Sequence, residues 1–497
     1  MSRWLSFLAL AIVVALGLVF ALRGRFESSK APEIAVFLDR SADNTWLDLR
    51  RCLEEHAGSQ AVRQIASDEY EVPLGKSAAA VRFRRYAYRG VAGIRKQVRA
   101  FQETRFPVAV ISPGNSIMTA ALAESLQACA AAAPRLAASV SPKPADRVSP
   151  ATASPSSGGG VPSGPTSDEL PILLVTTATA VHVDSAKGTR LLELYPGRTL
   201  RFSRNNDYMA RQVTHYVADI YKAGDPPRAP AQVILIKVSD DPFSQDLARA
   251  FRQDITRVFF GKLESNILEQ KFRQLELTGL APSLDKRLTP EEQHLRERMD
   301  EWLAAAADET PGRDTLVVLA MLTEPARRVL RALPPATHER ALLLAGDTFA
   351  PYQPAASKHP APWVTELPAR LISFQHQFAT PGEEPGHGTR PPLLWREIVS
   401  ATLLSLEQLA AAGRPIRPQA LFDELQQRRW EQGDVRERSL AFDTAGERVG
   451  DDYGYVLDLQ PGPLAVLRVY TSGRAAGKRP VWEDTIPVPS GSLLDRL

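Results

Sequence analysis

From Glu33 onward the chain alternates short apolar runs with segments whose apolar residues recur at helical spacing, and nothing else in the sequence restricts its fold as much. Residues 33–39 (EIAVFLD) read as a buried strand, and 45–56 place Trp46, Leu49 and Leu53 on one helical face. The unit repeats. Residues 81–88 feed a helix over 91–104, 107–111 feed one over 116–133, and 170–175 close the series. A second series begins at Leu200, with a helix over 207–222, a strand over 233–238 and a helix over 244–259. Thr289, Pro290, Glu291 and Glu292 then open another helix, with Thr as N-cap, Pro in the first turn and acids where the helix dipole favours them. A strand over 315–322, a helix over 324–333 and a strand over 340–345 ending in Gly346 and Asp347 complete it. Strands and helices alternating at these lengths predict parallel sheets covered on both faces.

Two of the strand-like runs end suggestively. Residues 170–175 stop at Thr176, Thr177, Ala178 and Thr179, and 233–238 stop at Ser239, Asp240, Asp241, Pro242 and Phe243. In open α/β sheets ligands sit at the carboxyl ends of the strands, so the two stops are candidate halves of one cleft.

At 497 residues the chain exceeds one ordinary core and predicts two lobes or domains. A net charge of +3 is small for that length and gives no global case for nucleic acid as a partner. Residues 4–22 are uninterruptedly apolar, flanked by Arg3 on one side and by Arg23 and Arg25 on the other. As a helix this run spans about 28 Å, the thickness of a bilayer core, which predicts a membrane anchor or an export signal. Ala21 closes a small-residue cleavage site, while the length of the run favours an uncleaved anchor; the body is then tethered outside the membrane, or secreted if cleaved. The excess of Arg23, Arg25 and Lys30 over Arg3 points the other way by the positive-inside rule, leaving orientation open. Cys52 and Cys129 lie in helical segments and can pair only if the fold brings them within about 7 Å.

Residues 134–168 are dominated by Ala, Pro, Ser and Gly and predict a surface insertion within the first lobe. The carboxyl-terminal part changes character: helices over 393–412 and 418–428, then β segments over 439–442, 455–459 and 465–470 separated by turns, an antiparallel meander followed by a tail over 481–497.

Four stretches together carry a family resemblance: VAVISPGNS at 108–116, LPILLVTTAT at 170–179, RFSRNNDYMARQ at 201–212 and LAFDTAG at 440–446. In this order they resemble the type I periplasmic-binding-protein fold, the family of branched-chain amino-acid binding proteins and receptor ligand-binding regions. The resemblance covers roughly 34–470. It implies an α/β architecture of two doubly wound lobes joined by three crossovers, near 198–202, 370–378 and 436–440. Lobe one is then 33–198 with a return over 375–435, and lobe two is 199–374 with terminal strands over 436–480, the whole preceded by the anchor segment 1–32. It also implies a cleft that shuts on a small polar, amino-acid-like solute by hinge motion, a membrane permease or sensor as partner, and no cofactor or metal. Matched position by position, Ser116, Thr177 and Thr179 correspond to contacts with a ligand carboxylate, Phe243 to an aromatic wall from the second lobe, and Asp347 to an acid meeting the ligand ammonium. The family's usual tyrosine is Phe243 here, a departure that leaves amino-acid specificity open.

Motifs for catalysis are missing. Gly75, Lys76 and Ser77 mimic the end of a P-loop, but Tyr70 stands where its first Gly belongs; no nucleophile elbow, zincin helix or dinucleotide fingerprint occurs. One local feature stands apart. Arg82, Arg84, Arg85, Arg89, Arg95, Lys96, Arg99 and Arg105 crowd one span with Glu103 as its acid, a pattern that fits a solvated lobe edge or, close to a membrane, anionic headgroups or an acidic partner. The sequence thus supports an exported or tethered solute-binding protein, with a sensory or interaction module of the same fold as the alternative and a Rossmann-like enzyme as a third reading.

Overall fold

The computed structural model describes residues 31–139, 169–223 apart from 185–186, 229–278 apart from 262, 288–309, 314–347 apart from 336, 367–376, 393–430, 440–449, 454–460, 464–471, 480 and 482–487. The apolar run 4–22 and most of the insertion 134–168 lie outside them. Among the described residues no helix is long and apolar enough to cross a membrane.

The strands, in chain order, are β1 (Glu33–Asp39), β2 (Arg63–Ala66), β3 (Glu69–Pro73), β4 (Ala80–Tyr88), β5 (Ala109–Ile111), β6 (Ile172–Val175), β7 (His182–Asp184), β8 (Thr189–Arg190), β9 (Thr199–Arg201), β10 (Gln232–Val238), β11 (Phe272–Leu277), β12 (Thr315–Ala320), β13 (Ala341–Ala345), β14 (Arg370–Gln375), β15 (Tyr455–Gln460), β16 (Leu464–Thr471) and β17 (Trp482–Pro487). They form two main sheets. The first runs β2-β3-β4-β1-β5-β6-β9 and is parallel from β4 to β9. The second runs β11-β10-β12-β13-β14-β15-β16-β17, parallel as far as β14 and antiparallel beyond it.

The parallel cores form because their strands are apolar on both faces. Residues 34–38 of β1 and all six residues of β12 are buried, as strands covered by helices on either side must be. Helices Asp43–Ala57, Leu393–Ala411 and Pro418–Gln427 cover one face of the first sheet; Gly90–Glu103 and Ser116–Ser139 cover the other. In the second lobe Asn206–Ala223 and Pro242–Ile255 cover one face, and Pro290–Glu309 and Thr323–Ala332 the other. Pro290–Glu309 shows the local logic. Thr289 Oγ1 accepts from the Glu292 amide at 3.3 Å while Glu292 Oε2 accepts from the Thr289 amide at 2.7 Å, a reciprocal cap. Leu295, Met299 and Leu303 then descend one face into the core, each contributing about 2 kcal/mol by burial. A proline at Met299 would break both the ladder and the stripe.

Three features differ from the sequence reading. The segment 481–497, expected as a tail, supplies β17, which pairs β16 from Leu464↔Pro487 to Val469↔Trp482. Strands β2, β3 and β11 also escape the pattern: β2 has no buried residue, and β11 buries only every second or third position. Third, β9 belongs to the first sheet, beside β6, so the first crossing to lobe two falls at 202–206 and not within 198–202. The last crossing is likewise later than 436–440, because Leu440 and Phe442 bury their side chains in the first lobe and Glu447 bridges Arg201 before β15 joins the second sheet. Cys52 and Cys129 are free and buried in clusters on opposite faces of the first sheet. The Gly75-Lys76-Ser77 segment is the turn between β3 and β4, with Ser77 Oγ donating to Leu74 O at 2.7 Å.

Candidate functional site

The carboxyl ends of β5 and β6 continue into two loops laced to each other. The Thr176 amide donates to Ser112 Oγ at 3.1 Å, the Thr177 hydroxyl to Gly114 O at 2.6 Å, the Thr119 hydroxyl to Pro113 O at 2.9 Å, and the Ala180 amide to Ser116 Oγ at 3.3 Å. Ser116, Thr177 and Thr179 are therefore brought into one loop pair. Their exposures differ: Thr177 is exposed, whereas Ser116 and Thr179 are buried at 4% and 1%.

In the second lobe, helix Pro242–Ile255 starts at the end of β10. Asp241 caps it, accepting from the amides of Phe243 at 3.2 Å and Ser244 at 3.3 Å, with Pro242 in the first turn. Burial raises the Asp241 carboxyl above its ordinary range despite those two amides, and neighbouring Asp240 adds to the shift. Ser244 Oγ accepts from the Val238 amide at 2.6 Å and donates to Ala320 O, locking the ends of β10 and β12 together. The ring of Phe243, expected as a wall facing the ligand, is 5% exposed and belongs to the core with Tyr208, Leu247 and Phe374. Asp347, just past β13, lies 2.8 Å from His376 Nε2, just past β14; both side chains are about nine-tenths buried, and Asp347 Oδ1 has no hydrogen-bond partner among the described residues.

Phe243 and Thr179 are joined through one residue that the sequence did not single out. The Asn206 amide donates to Thr179 O at 2.9 Å, and its Nδ2 donates to Phe243 O at 3.3 Å and to Asp246 Oδ2 at 2.9 Å. Asp246 itself is fully buried and ties the two lobes. It accepts from the amides of Val181 at 2.7 Å and His182 at 3.1 Å, lies 2.9 Å from His182 Nδ1, and accepts from Arg249 Nη2 at 3.0 Å. Its spacing carried a signal: Asp246 falls on the apolar stripe of its helix with Phe243, Leu247 and Ala250, and a carboxylate on a buried stripe needs partners.

The crossing segments are bound by buried charge. Arg448 makes two bonds to Glu397, at 2.7 and 3.1 Å, with both side chains fully buried, and donates to Phe202 O at 3.0 Å. Arg201 Nη2 donates to Ala180 O at 2.8 Å and its Nη1 lies 3.5 Å from Glu447 Oε1. Gly446 closes the turn beside them at φ +85°, where an added Cβ would lie 2.0 Å from Thr199 O, so this glycine in the LAFDTAG stretch is required by close approach. Among the described residues no group of three or more His, Cys, Asp or Glu is placed to hold a metal ion.

No protein-family model matches the sequence, and comparison with curated proteins returns no match. Solved structures do match. An ABC transporter substrate-binding protein from Desulfitobacterium hafniense, in complex with Leu, is 14% identical with a TM-score of 0.50, over 86% of this chain and 98% of that one. A solute binding protein of an ABC transporter from Rhodopseudomonas palustris BisB5, in complex with 3,4-dihydroxy benzoic acid, is 9% identical with a TM-score of 0.51, over 90% and 99%. At such identities the likeness is one of fold, and the fold is that of the type I periplasmic binding proteins.

Proposed function

We propose that this chain is a solute-binding protein of the kind that serves ABC transporters, closing two lobes on a small polar, amino-acid-like ligand. The observation that carries the reading is the meeting of strand carboxyl ends from two doubly wound sheets beside the crossing segments, the placement at which α/β folds bind ligands. The likeness to structures whose descriptions name Leu and a dihydroxybenzoate supports a ligand carrying a carboxylate. In this reading Thr177, Ser116 and Thr179 receive the anion from lobe one, and Asp347 meets a cationic group from lobe two. Phe243 supports that wall from the core behind it. The buried pairs Arg448–Glu397 and Arg201–Glu447 hold the crossing segments in place while the lobes rotate. Binding, not catalysis, is the activity, and the apolar run 4–22 tethers or exports the body so that it meets a membrane permease.

A thermal-shift screen of the full chain against amino acids, short peptides, sugars and hydroxybenzoates tests this. One solute class at a hundred times its Kd should stabilise the fold by about 2.7 kcal/mol. Stabilisation by none, with a stable protein complex recovered in its place, would convert the reading to a sensory or interaction module.

A further inference from the structure

The basic run of residues 82–105 splits into two halves with opposite fates. Along β4 the cations are answered by acids from neighbouring elements: Arg82 lies 3.0 Å from Glu69, Arg85 2.6 Å from Asp43, and Arg84 4.0 Å from Glu33. Beyond β4 the partners thin out. Arg89 has Asp39 nearby, and Arg95 approaches Glu124 only at 4.0 Å with both side chains more than half exposed. Lys96, Arg99 and Arg105 are exposed and make no hydrogen bond or ion pair with a described residue.

Helix Gly90–Glu103 sorts its residues sharply. Ile94, Val98 and Phe101 enter the core, which leaves Arg95, Lys96 and Arg99 together on the outer face, with Glu103 as the acid of that face. Among the described residues the large exposed apolar side chains, such as Leu47, Ile65 and Ile117, lie on other elements. A protein interface is anchored by buried aromatic or aliphatic side chains at its centre, and this face offers none. A row of flexible cations without an apolar anchor suits a layer of anionic headgroups.

The topology places the row where a bilayer would be. The helix runs back from the carboxyl end of β4 toward the amino end of β1, and Arg105 comes just before β5, whose entry is bonded there: the Val108 amide donates to Glu33 O at 2.7 Å. The apolar run ends at Leu22, and the ten residues 23–32 reach at most about 35 Å before β1 begins. The lower end of the cationic row and the point where the tether enters the body therefore share one pole of lobe one.

We infer that the outer face of helix Gly90–Glu103, with Arg95, Lys96, Arg99 and Arg105, is the surface with which the body rests on anionic phospholipid of the membrane holding its N-terminal segment; this builds on the tethered reading above. Each cation adds a small attraction at an anionic surface and acts within a Debye length, so the contact is weak alone and becomes effective because the tether fixes the local concentration.

The test reconstitutes the full chain into vesicles of phosphatidylcholine alone or with phosphatidylglycerol and follows amide hydrogen exchange of the 90–103 segment. Several-fold slower exchange on the anionic vesicles is expected, abolished by high salt and by the combined change Arg95→Glu, Lys96→Glu, Arg99→Glu, with solute-induced thermal stabilisation unaltered. Equal exchange on both vesicle types, or protection that survives salt or the triple change, overturns the inference. Failure of the tether alone is read separately, as a chain that does not float with neutral vesicles, and failure of the solute-binding reading as the absence of any solute shift.

Discussion

The two sides of the cleft dispose of their polar groups differently. On lobe one these are hydroxyls bonded to backbone alone, and three of them through a single partner: Thr177 donates to Gly114 O, Thr119 to Pro113 O, and Ser116 accepts from Ala180. On lobe two, beside the interlobe contact, two carboxylates have several partners each, unlike Asp347 farther along the sheet. Asp246 is held by two amides, Asn206 and Arg249, and Asp241 by two amides. The difference follows from desolvation cost, since a buried carboxylate is stable only with multiple donors, whereas a hydroxyl is satisfied by one bond that a ligand can replace. Lobe one is thus equipped to exchange partners, and the interlobe side of lobe two to hold its own.

The sharpest way to break that comparison is Asp246→Ala. Removing a carboxylate that is fully buried strands the amides of Val181 and His182 together with Asn206 and Arg249, and should cost about 3–5 kcal/mol in urea unfolding. A loss of the size expected for a lone hydroxyl would erase the distinction. Thr177→Val comes next. Stability should change by less than about 1 kcal/mol, while affinity for the stabilising solute falls about 5-fold by titration calorimetry, one hydrogen bond's worth. If stability drops and affinity does not, Thr177 is structural. The smallest effect is Asp241→Asn. Because burial raises the Asp241 carboxyl above its unfolded value, its favourable contribution is present below that unfolded value and is lost as pH rises through the folded one. Asn keeps one accepting oxygen for the two amides and no titrating group, so the variant should lie within about 1 kcal/mol of the parent near neutral pH, with a flatter stability profile across the acidic range. An unchanged profile would show that the carboxyl is solvated.

Legibility in the sequence followed the strength of local periodicity. Helix Asn206–Ala223 and strands β1, β10 and β13 lie within two residues of their expected bounds because every residue between was periodic or continuously apolar. Strands β2 and β11 were not legible, since edge strands bury too little to impose a pattern. The same contrast holds for the site. The strand end carrying Thr177 and Thr179 was visible as a run rich in hydroxyls, and Ser116 through the family resemblance alone. The partners of Asn206 and Asp246 were not, because all but Arg249 lie 27 to 65 residues away and only the fold brings them into reach.

By itself the sequence determined the two doubly wound lobes, their helical faces and the glycine of the LAFDTAG turn, because hydrophobic period and backbone sterics act over a few residues. Only the tertiary structure decided which charges are used up and which remain. It paired Arg201 and Arg448 with acids beside the crossings, neutralised the β4 half of a basic run and left the helical half in solvent. Whether a charge finds a partner depends on distances across the fold, and nothing in the local chain encodes them.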